Sequence, residues 1–383
     1  MSEKTIEGRP IIIFGEDWGG LPSSTQHLAK HFAQGRKVLW VNSIGLRQPR
    51  FSFSDFSRAF SKLVKRFRPS VNIPAHTPDN VTVTNFLTIP APKSKAARNL
   101  AKRMLQRQLS NYLQKEEFKD AILWTSLPTT SDVFKSYSHL TRVYYCGDDF
   151  NALSGVDHDT VSQHETDLLE SVDLVLTASE KLKNKFAHPN VQLLSHGVDK
   201  ELFEGAKARA TDLPKTNRPT VGFYGSISEW FDVALVRDIA NALPSWNIVV
   251  VGKNVIDISE LKKLKNVHLL GPKAHEELPR YSQHWDVSIL PFVQNAQIHA
   301  CNPLKLYEYL SVGKPIVSRD FPAIAPFKGA VQIANTSQEF IEAIKMARYA
   351  NLIPEFKRGL QSLNSGNSWQ EKATKVDQWI KEL

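Results

Sequence analysis

The strongest constraint on the fold is a repeated alternation of short apolar runs with helical stretches. Residues 10–15 (Pro-Ile-Ile-Ile-Phe-Gly) and 37–42 (Lys-Val-Leu-Trp-Val-Asn) read as two strands, joined by a glycine loop and a helix near 23–33. Residues 121–124, 142–146 and 174–179 continue the series, with helices expected over 160–171 and 180–186. A polar stretch at 204–218 reads as a linker, and after it the pattern restarts with strands at 220–225, 246–252, 267–271 and 286–292. Such runs are buried on both faces, and helices between them are the crossovers a parallel sheet needs. The expectation is an α/β fold with two doubly wound, Rossmann-like domains, each large enough for its own core in a chain of 383 residues. The domains are expected at 1–203 and at 204–366, with an amphipathic helix following at 367–383.

Residues 300–317 carry the most chemistry. Asn302 suits an N-cap, and Pro303 fits the first helical position. Leu304, Leu306, Tyr307 and Leu310 supply an apolar face. Gly313 suits the position after the helix, and Lys314-Pro315 stops it before a strand at 316–317. Lys305 is the odd residue, because a cation in the first turn faces the positive end of the helix dipole. Free backbone N–H groups there bind anions, so a lysine beside them fits a bound phosphate. The other reading is a surface lysine pointing into water.

Composition narrows the function classes. Apolar content of 42% and charged content of 23% fit a soluble globular protein. Cys146 and Cys301 form no disulfide framework and no metal-ligand spacing, which fits a reducing compartment; no acidic or His cluster has ligand spacing either, and neither a metal nor a cofactor is expected. No apolar signal core opens the chain, and no apolar run is long enough to span a bilayer. The expected location is cytoplasmic, or peripheral on the cytosolic face of a membrane.

The net charge of +9 falls within residues 47–119, and the rest of the chain is close to neutral. In that segment Phe53, Phe56, Phe60, Val64 and Phe67 share one helical face, while Arg58, Lys62, Lys65 and Arg66 fall largely on the other. Phe53, Phe56, Phe60, Lys62, Lys65 and Arg66 are therefore expected to meet an anionic membrane surface. The alternative is that these phenylalanines are core. A second basic helix, 93–113, is expected to pack Ala97, Leu100, Ala101, Met104 and Leu105 on the first sheet. No RNA-recognition motif accompanies the basic segment, and no nucleic-acid partner is expected.

Two further places have the right position for a site. Gly19 and Gly20 follow the first strand and let the backbone approach a ligand, although they form neither a GxGxxG fingerprint nor a Walker loop. Asp148 and Asp149 follow the strand at 142–146, at the end where open α/β sheets bind ligands. At least one of that pair is expected to cap the following turn.

Pro291-Phe292, a polar loop, and Leu-Tyr-Glu-Tyr-Leu-Ser-Val-Gly-Lys-Pro-Ile-Val at 306–317 resemble the donor-binding segment of retaining GT-B glycosyltransferases of group 1, family four-like. Asn302-Pro303-Leu304-Lys305 ahead of Glu308 resembles a subgroup with Asn-Pro-x-Lys at that place. Ser195-His196-Gly197-Val198-Asp199 is similar to the family's Pro-Asn-Gly-Val-Asp crossover between domains. The resemblance implies two domains facing across a cleft, with the last helix returning to the first domain. It implies that Glu308 contacts the ribose of a nucleotide sugar, and that Asn302, Leu304 and Lys305 hold its diphosphate. Gly225 and Ser226 would add contacts to the diphosphate, and Lys273 would lie against the base. Asp148, then Asp149, would face the acceptor hydroxyl, with Gly19 and Gly20 nearby.

The chain departs from the family at Ala300, where the first of two glutamates would fall, and at 226–232, which lacks the usual Arg/Lys pair. The implied activity moves a sugar from a nucleoside diphosphate sugar to a hydroxyl of a saccharide or lipid-linked acceptor, with retention, in cell-surface polysaccharide or glycolipid synthesis. Two other readings stay open. One is a nucleotide-sugar epimerase on the same fold. The other is a binding protein that has lost activity, which the two departures favour.

Overall fold

The computed structural model describes residues 8–20, 23–45, 77–152 and 157–383. The chain separates into two compact units, Met1–Leu194 with Gln370–Leu383, and Ser195–Trp369. The expected membrane helix at 53–67, with Phe53, Phe56, Phe60, Lys62, Lys65 and Arg66, lies outside the described residues.

The first unit is built on seven parallel strands: β1 (Ile11–Phe14), β2 (Val38–Val41), β3 (Val81–Thr84), β4 (Ile122–Thr125), β5 (Arg142–Cys146), β6 (Leu174–Thr177) and β7 (Val191–Leu193). Their order is β3-β2-β1-β4-β5-β6-β7. β1, β2, β4 and β6 are buried along their whole length, as uninterrupted apolar runs require. β3 was not read from the sequence. Its Val-Thr-Val-Thr alternation belongs to an edge strand with only Val81 fully buried.

Lys95–Leu113 is helical, but its core face is Ala101, Leu105 and Leu109. Leu100, expected on that face, is 53% exposed, because spacings of four from Ala101 turn it outward. Trp369–Lys381 forms the last helix, which buries Ala373, Val376 and Ile380. Its residues from Gln370 onward belong to the first unit, where Gln370 meets His31 at 3.0 Å and Asp377 pairs with Arg36.

The second unit has six parallel strands: β8 (Thr220–Tyr224), β9 (Asn247–Val251), β10 (Val267–Leu269), β11 (Val287–Leu290), β12 (Ile316–Ser318) and β13 (Gln332–Ile333). Their order is β10-β9-β8-β11-β12-β13. Both sheets therefore reverse direction once, between β1 and β4 and between β8 and β11, and a crevice opens at the carboxyl ends of such strands.

The polar stretch at 204–218 is not a free linker. Ala210 and Leu213 are buried in the second unit's core, and the Ala210 N–H donates to Arg280 O. Val198 and Phe203 belong to the same core.

Candidate functional site

In the second unit the site grows from the β8/β11 reversal. β8 runs into Gly225 and β11 into Pro291-Phe292. The Lys305 ammonium lies over both strand ends, 5.6 Å from the Phe223 ring centre and 5.3 Å from that of Phe292. Gly225 makes this possible. It has φ +136°, and a Cβ there would sit 2.8 Å from Lys305 Cε. Gly252 has φ +155° and presses on Gly225, so closely that a Cβ would fall 1.8 Å from Gly225 O.

Lys305 is half-buried, and among the described residues no carboxylate lies within ion-pair distance of it. Burial lowers its pKa below the usual lysine value, with Cys301 and Glu308 acting in the opposite direction. A lysine desolvated in this way, without a counter-ion of its own, gains on meeting an anion.

Lys305 belongs to the helix Leu304–Val312, whose N-cap is Pro303 in extended backbone. This corrects the expected capping by Asn302. Proline at ψ 126° ends the extended chain one residue later, and no side chain caps the helix. Asn302 is buried instead, and its side chain bonds Tyr307. The Leu306 N–H donates to Pro303 O at 3.1 Å. The N–H groups of Leu304 and Lys305 precede the first helical bond and have no intrahelical acceptor. The other end is closed by Gly313 at φ +75°, whose N–H donates to Tyr309 O and Leu310 O.

One turn along, Glu308 is buried and accepts a 2.8 Å hydrogen bond on Oε1 from His275 Nε2. Burial works against the imidazolium, but Glu308 outweighs it, and the His275 pKa stands above 6.5. The hydroxyl of Tyr224 is buried beside the same carboxylate, and its pKa is pushed well up by burial and then by Glu308. Ser226 is half-buried just after Gly225. Lys273 is not free. It pairs with Asp212 at 2.6 Å, and Tyr281 donates to the same Asp212 at 2.7 Å. Residues 293–301, expected as a polar loop, hold a short helix Ala296–Ala300 capped by Asn295. Ala300 is 1% exposed.

In the first unit, the candidate acids after β5 have different surroundings. Asp149 accepts from Lys185 Nζ at 2.9 Å and from the Asn151 N–H at 3.3 Å. Lys185 also binds Glu165 at 2.8 Å, and Tyr144 donates to Glu165 at 2.7 Å. This network, buried at Glu165 and Tyr144 and open to solvent at Lys185, anchors the turn. Asp148 reaches solvent, but protein crowds its carboxyl; that desolvation, then the charge of Asp149, raises its pKa.

Glu16 follows β1 and is close enough to Asp148 to feel its charge. It accepts from Ser23 and from Gln26 Nε2, and burial is the main cause of its raised pKa. Gly19 and Gly20 are exposed on the loop that follows, where the Gly19 N–H donates to Gln26 Oε1 at 3.1 Å.

The family model described as "Glycosyl transferases group 1" matches residues 218–347, which hold β8 to β13 and the whole Lys305 site. That match lies wholly within the second unit. A putative teichuronic acid biosynthesis glycosyltransferase, TuaH of Bacillus subtilis (strain 168), is 28% identical to this chain over 222 residues. That match covers 52% of this chain and 56% of TuaH, so it spans about half of that relative.

The fold is that of the GT-B glycosyltransferases. Anabaena Alr3699/HepE, solved in complex with UDP, has a TM-score of 0.69 at 13% identity, covering 97% of this chain and 100% of that one. Sucrose-phosphate synthase from Thermosynechococcus elongatus has a TM-score of 0.68 at 15% identity, covering 98% and 99%.

Within the second unit, Asn302, Leu304, Lys305, Glu308, Gly225 and Ser226 converge around one helix N-terminus and one strand end. Lys273 stands apart, held by Asp212. Sequence reasoning missed His275 and, in the first unit, Glu16. Glu16 had a readable signal, an acid directly after an apolar strand, which is the argument that selected Asp148. His275 had none, because only folding brings it across 33 residues to Glu308.

Proposed function

We propose that this chain is a retaining glycosyltransferase. It moves a sugar from a nucleoside diphosphate sugar to a hydroxyl of a saccharide or lipid-linked acceptor in cell-surface polysaccharide synthesis. The observation that carries this reading is the half-buried Lys305 ammonium, without a counter-ion, at the β8/β11 reversal beside the free N–H groups of Leu304 and Lys305. Negative charge builds on the diphosphate as the sugar–phosphate bond breaks, and a fixed cation with helix N–H groups stabilises that leaving group. Glu308, held by His275 through one oxygen, would meet the hydroxyls of a ribose. Asp148, whose raised pKa suits proton traffic, would accept or orient the acceptor proton. Asp149 and Lys185 hold the turn that presents it.

The relatives suggest which donors to try first. HepE was solved with UDP and with UDP-glucose, and TuaH carries a teichuronic acid biosynthesis name, so uridine diphosphate sugars are the first donors to try. The first assay is thermal unfolding against a panel of nucleotide sugars, since a bound donor raises the apparent Tm by mass action. Product analysis with donor alone then separates the alternatives. An epimerised nucleotide sugar without acceptor assigns an epimerase, and binding with no product from any acceptor class assigns a non-catalytic receptor. Failure of every nucleotide sugar to bind refutes the proposal. The aromatic and basic segment at 53–67 is proposed to hold the enzyme on an anionic membrane, which fits a lipid-linked acceptor.

A further inference from the structure

Outside the site, one surface stands out in the second unit. Helix Ser337–Ala350 and helix Pro354–Ser362 meet at a corner. Four large apolar side chains are exposed within eight residues there: Met346 at 68%, Tyr349 at 70%, Leu352 at 76% and Ile353 at 51%. Exposed apolar residues are ordinary when scattered singly, but a contiguous group of this size marks an interaction surface.

Charge defines the partner. Lys345, Arg348 and Lys357 flank the apolar tip, and none of them has an ion-pair partner among the described residues. Arg348 is held over the Trp246 ring at 5.8 Å, which fixes its guanidinium at the base of the corner. Of the acids nearby in sequence, Glu355 is already paired with Arg358 at 2.8 Å, and Glu342, one turn before Lys345, accepts from Gln338 Nε2 at 2.6 Å.

We propose that this corner docks on an anionic lipid surface. A convex apolar tip enters the acyl boundary, while a collar of unpaired cations stays at the depth of the lipid phosphates. A second copy of the chain is a poor occupant, because a symmetric contact would set the cations of each collar against one another. The inference does not rest on the glycosyltransferase reading, and it uses residues far in sequence from 53–67.

The test is co-sedimentation of the full chain with vesicles of phosphatidylcholine alone and of phosphatidylcholine with phosphatidylglycerol. Two variants accompany it, Leu352→Ser/Ile353→Ser and Lys345→Glu/Lys357→Glu. The altered positions are exposed, and unchanged thermal unfolding of each variant confirms the fold. The expected result is that the wild type binds the anionic vesicles selectively, with salt weakening the binding. Each double variant should then bind about tenfold more weakly or worse, as when two aliphatic side chains or two cations lose their partners. The proposal is overturned if both variants bind like wild type, which would place vesicle binding elsewhere in the chain. Equal binding to neutral vesicles, or no vesicle binding at all, overturns it too. A wild-type dimer that Leu352→Ser/Ile353→Ser converts to monomer would assign the corner to a second copy instead.

Discussion

Replacing Lys305 by methionine separates a phosphate site from a packing residue, because the two readings predict opposite patterns. The methionine keeps the length and apolar stem of lysine and removes only the charge. In the empty protein the ammonium interacts with two rings, at 5.6 Å from Phe223 and 5.3 Å from Phe292, each contact worth about 0.5–1 kcal/mol. A thioether against the same rings recovers about as much. The removed charge also carried a desolvation cost, visible in its lowered pKa, and no ion pair is lost. The stability of Lys305→Met should therefore stay within about 1 kcal/mol of wild type.

Binding should behave differently. A hydrogen bond to a charged group is worth about 1.5–3 kcal/mol, so affinity for UDP should fall roughly tenfold to 150-fold. The helix N-terminus remains, so binding should weaken without vanishing. Uridine, with no phosphate, should bind the variant and the wild type alike. Calorimetric titration of both proteins with both ligands, alongside thermal unfolding, gives all the quantities. Equal losses for uridine and UDP would refute the reasoning, as would a stability loss above about 2 kcal/mol, which only a structural role would produce.

Three further outcomes follow from the same geometry. Glu308→Gln should weaken binding of uridine and of UDP by the same factor, checked in the same titration; a loss confined to UDP would mean that Glu308 acts on the phosphates. For His275, the pKa is raised by Glu308 despite burial, so the stability it adds is fully present below pH 6.5 and is lost as pH rises through the higher folded-state value. The stability gap between wild type and His275→Gln, from urea unfolding across that window, should narrow as pH increases, and a gap independent of pH would exclude the ion pair. Asp148→Asn should lower turnover by roughly 100-fold or more with donor affinity little changed, whereas Asp149→Asn should mainly lower stability through the lost Lys185 contact. The reverse assignment in a turnover assay would move the catalytic role to Asp149.

The legibility of this chain in its sequence follows the range of the interactions concerned. The buried strands were visible because an uninterrupted Val/Ile/Leu run has few other uses, and Gly313 marked a helix end because a left-handed residue was needed there. Lys305 was readable as an anomaly, since its conflict with the helix dipole is local. The Asn302 cap failed by one residue, because Pro303 itself takes the extended conformation that a cap requires. The Val-Thr-Val-Thr strand and the buried Ala210 and Leu213 were missed for a common reason. Their burial depends on what packs against them, and composition alone reads them as loop. The pairing of Lys273 with Asp212 spans 61 residues, and that of His275 with Glu308 spans 33, and no local pattern encodes either.

The His275 contact explains how Lys305 keeps its charge available. Lys305 and Glu308 are three residues apart on one helix, a spacing at which opposite charges ordinarily pair. A Lys305–Glu308 pair would neutralise the cation and turn the helix N-terminus into a closed, self-satisfied surface. Two features oppose it. The order, lysine before glutamate, is the weaker one on a helix. His275 also engages the carboxylate, with its Nε2 on Glu308 Oε1 at 2.8 Å, while Lys305 lies over Gly225 between two rings. Lys305 then feels Glu308 only through space, as a charge that partly offsets its desolvation. With the carboxylate engaged by His275, an anion at the helix end would meet a lysine that has no ion-pair partner among the described residues. In the proposed reaction the same arrangement divides the donor: His275 and Glu308 serve the nucleoside, and Lys305 and the helix end serve the leaving group.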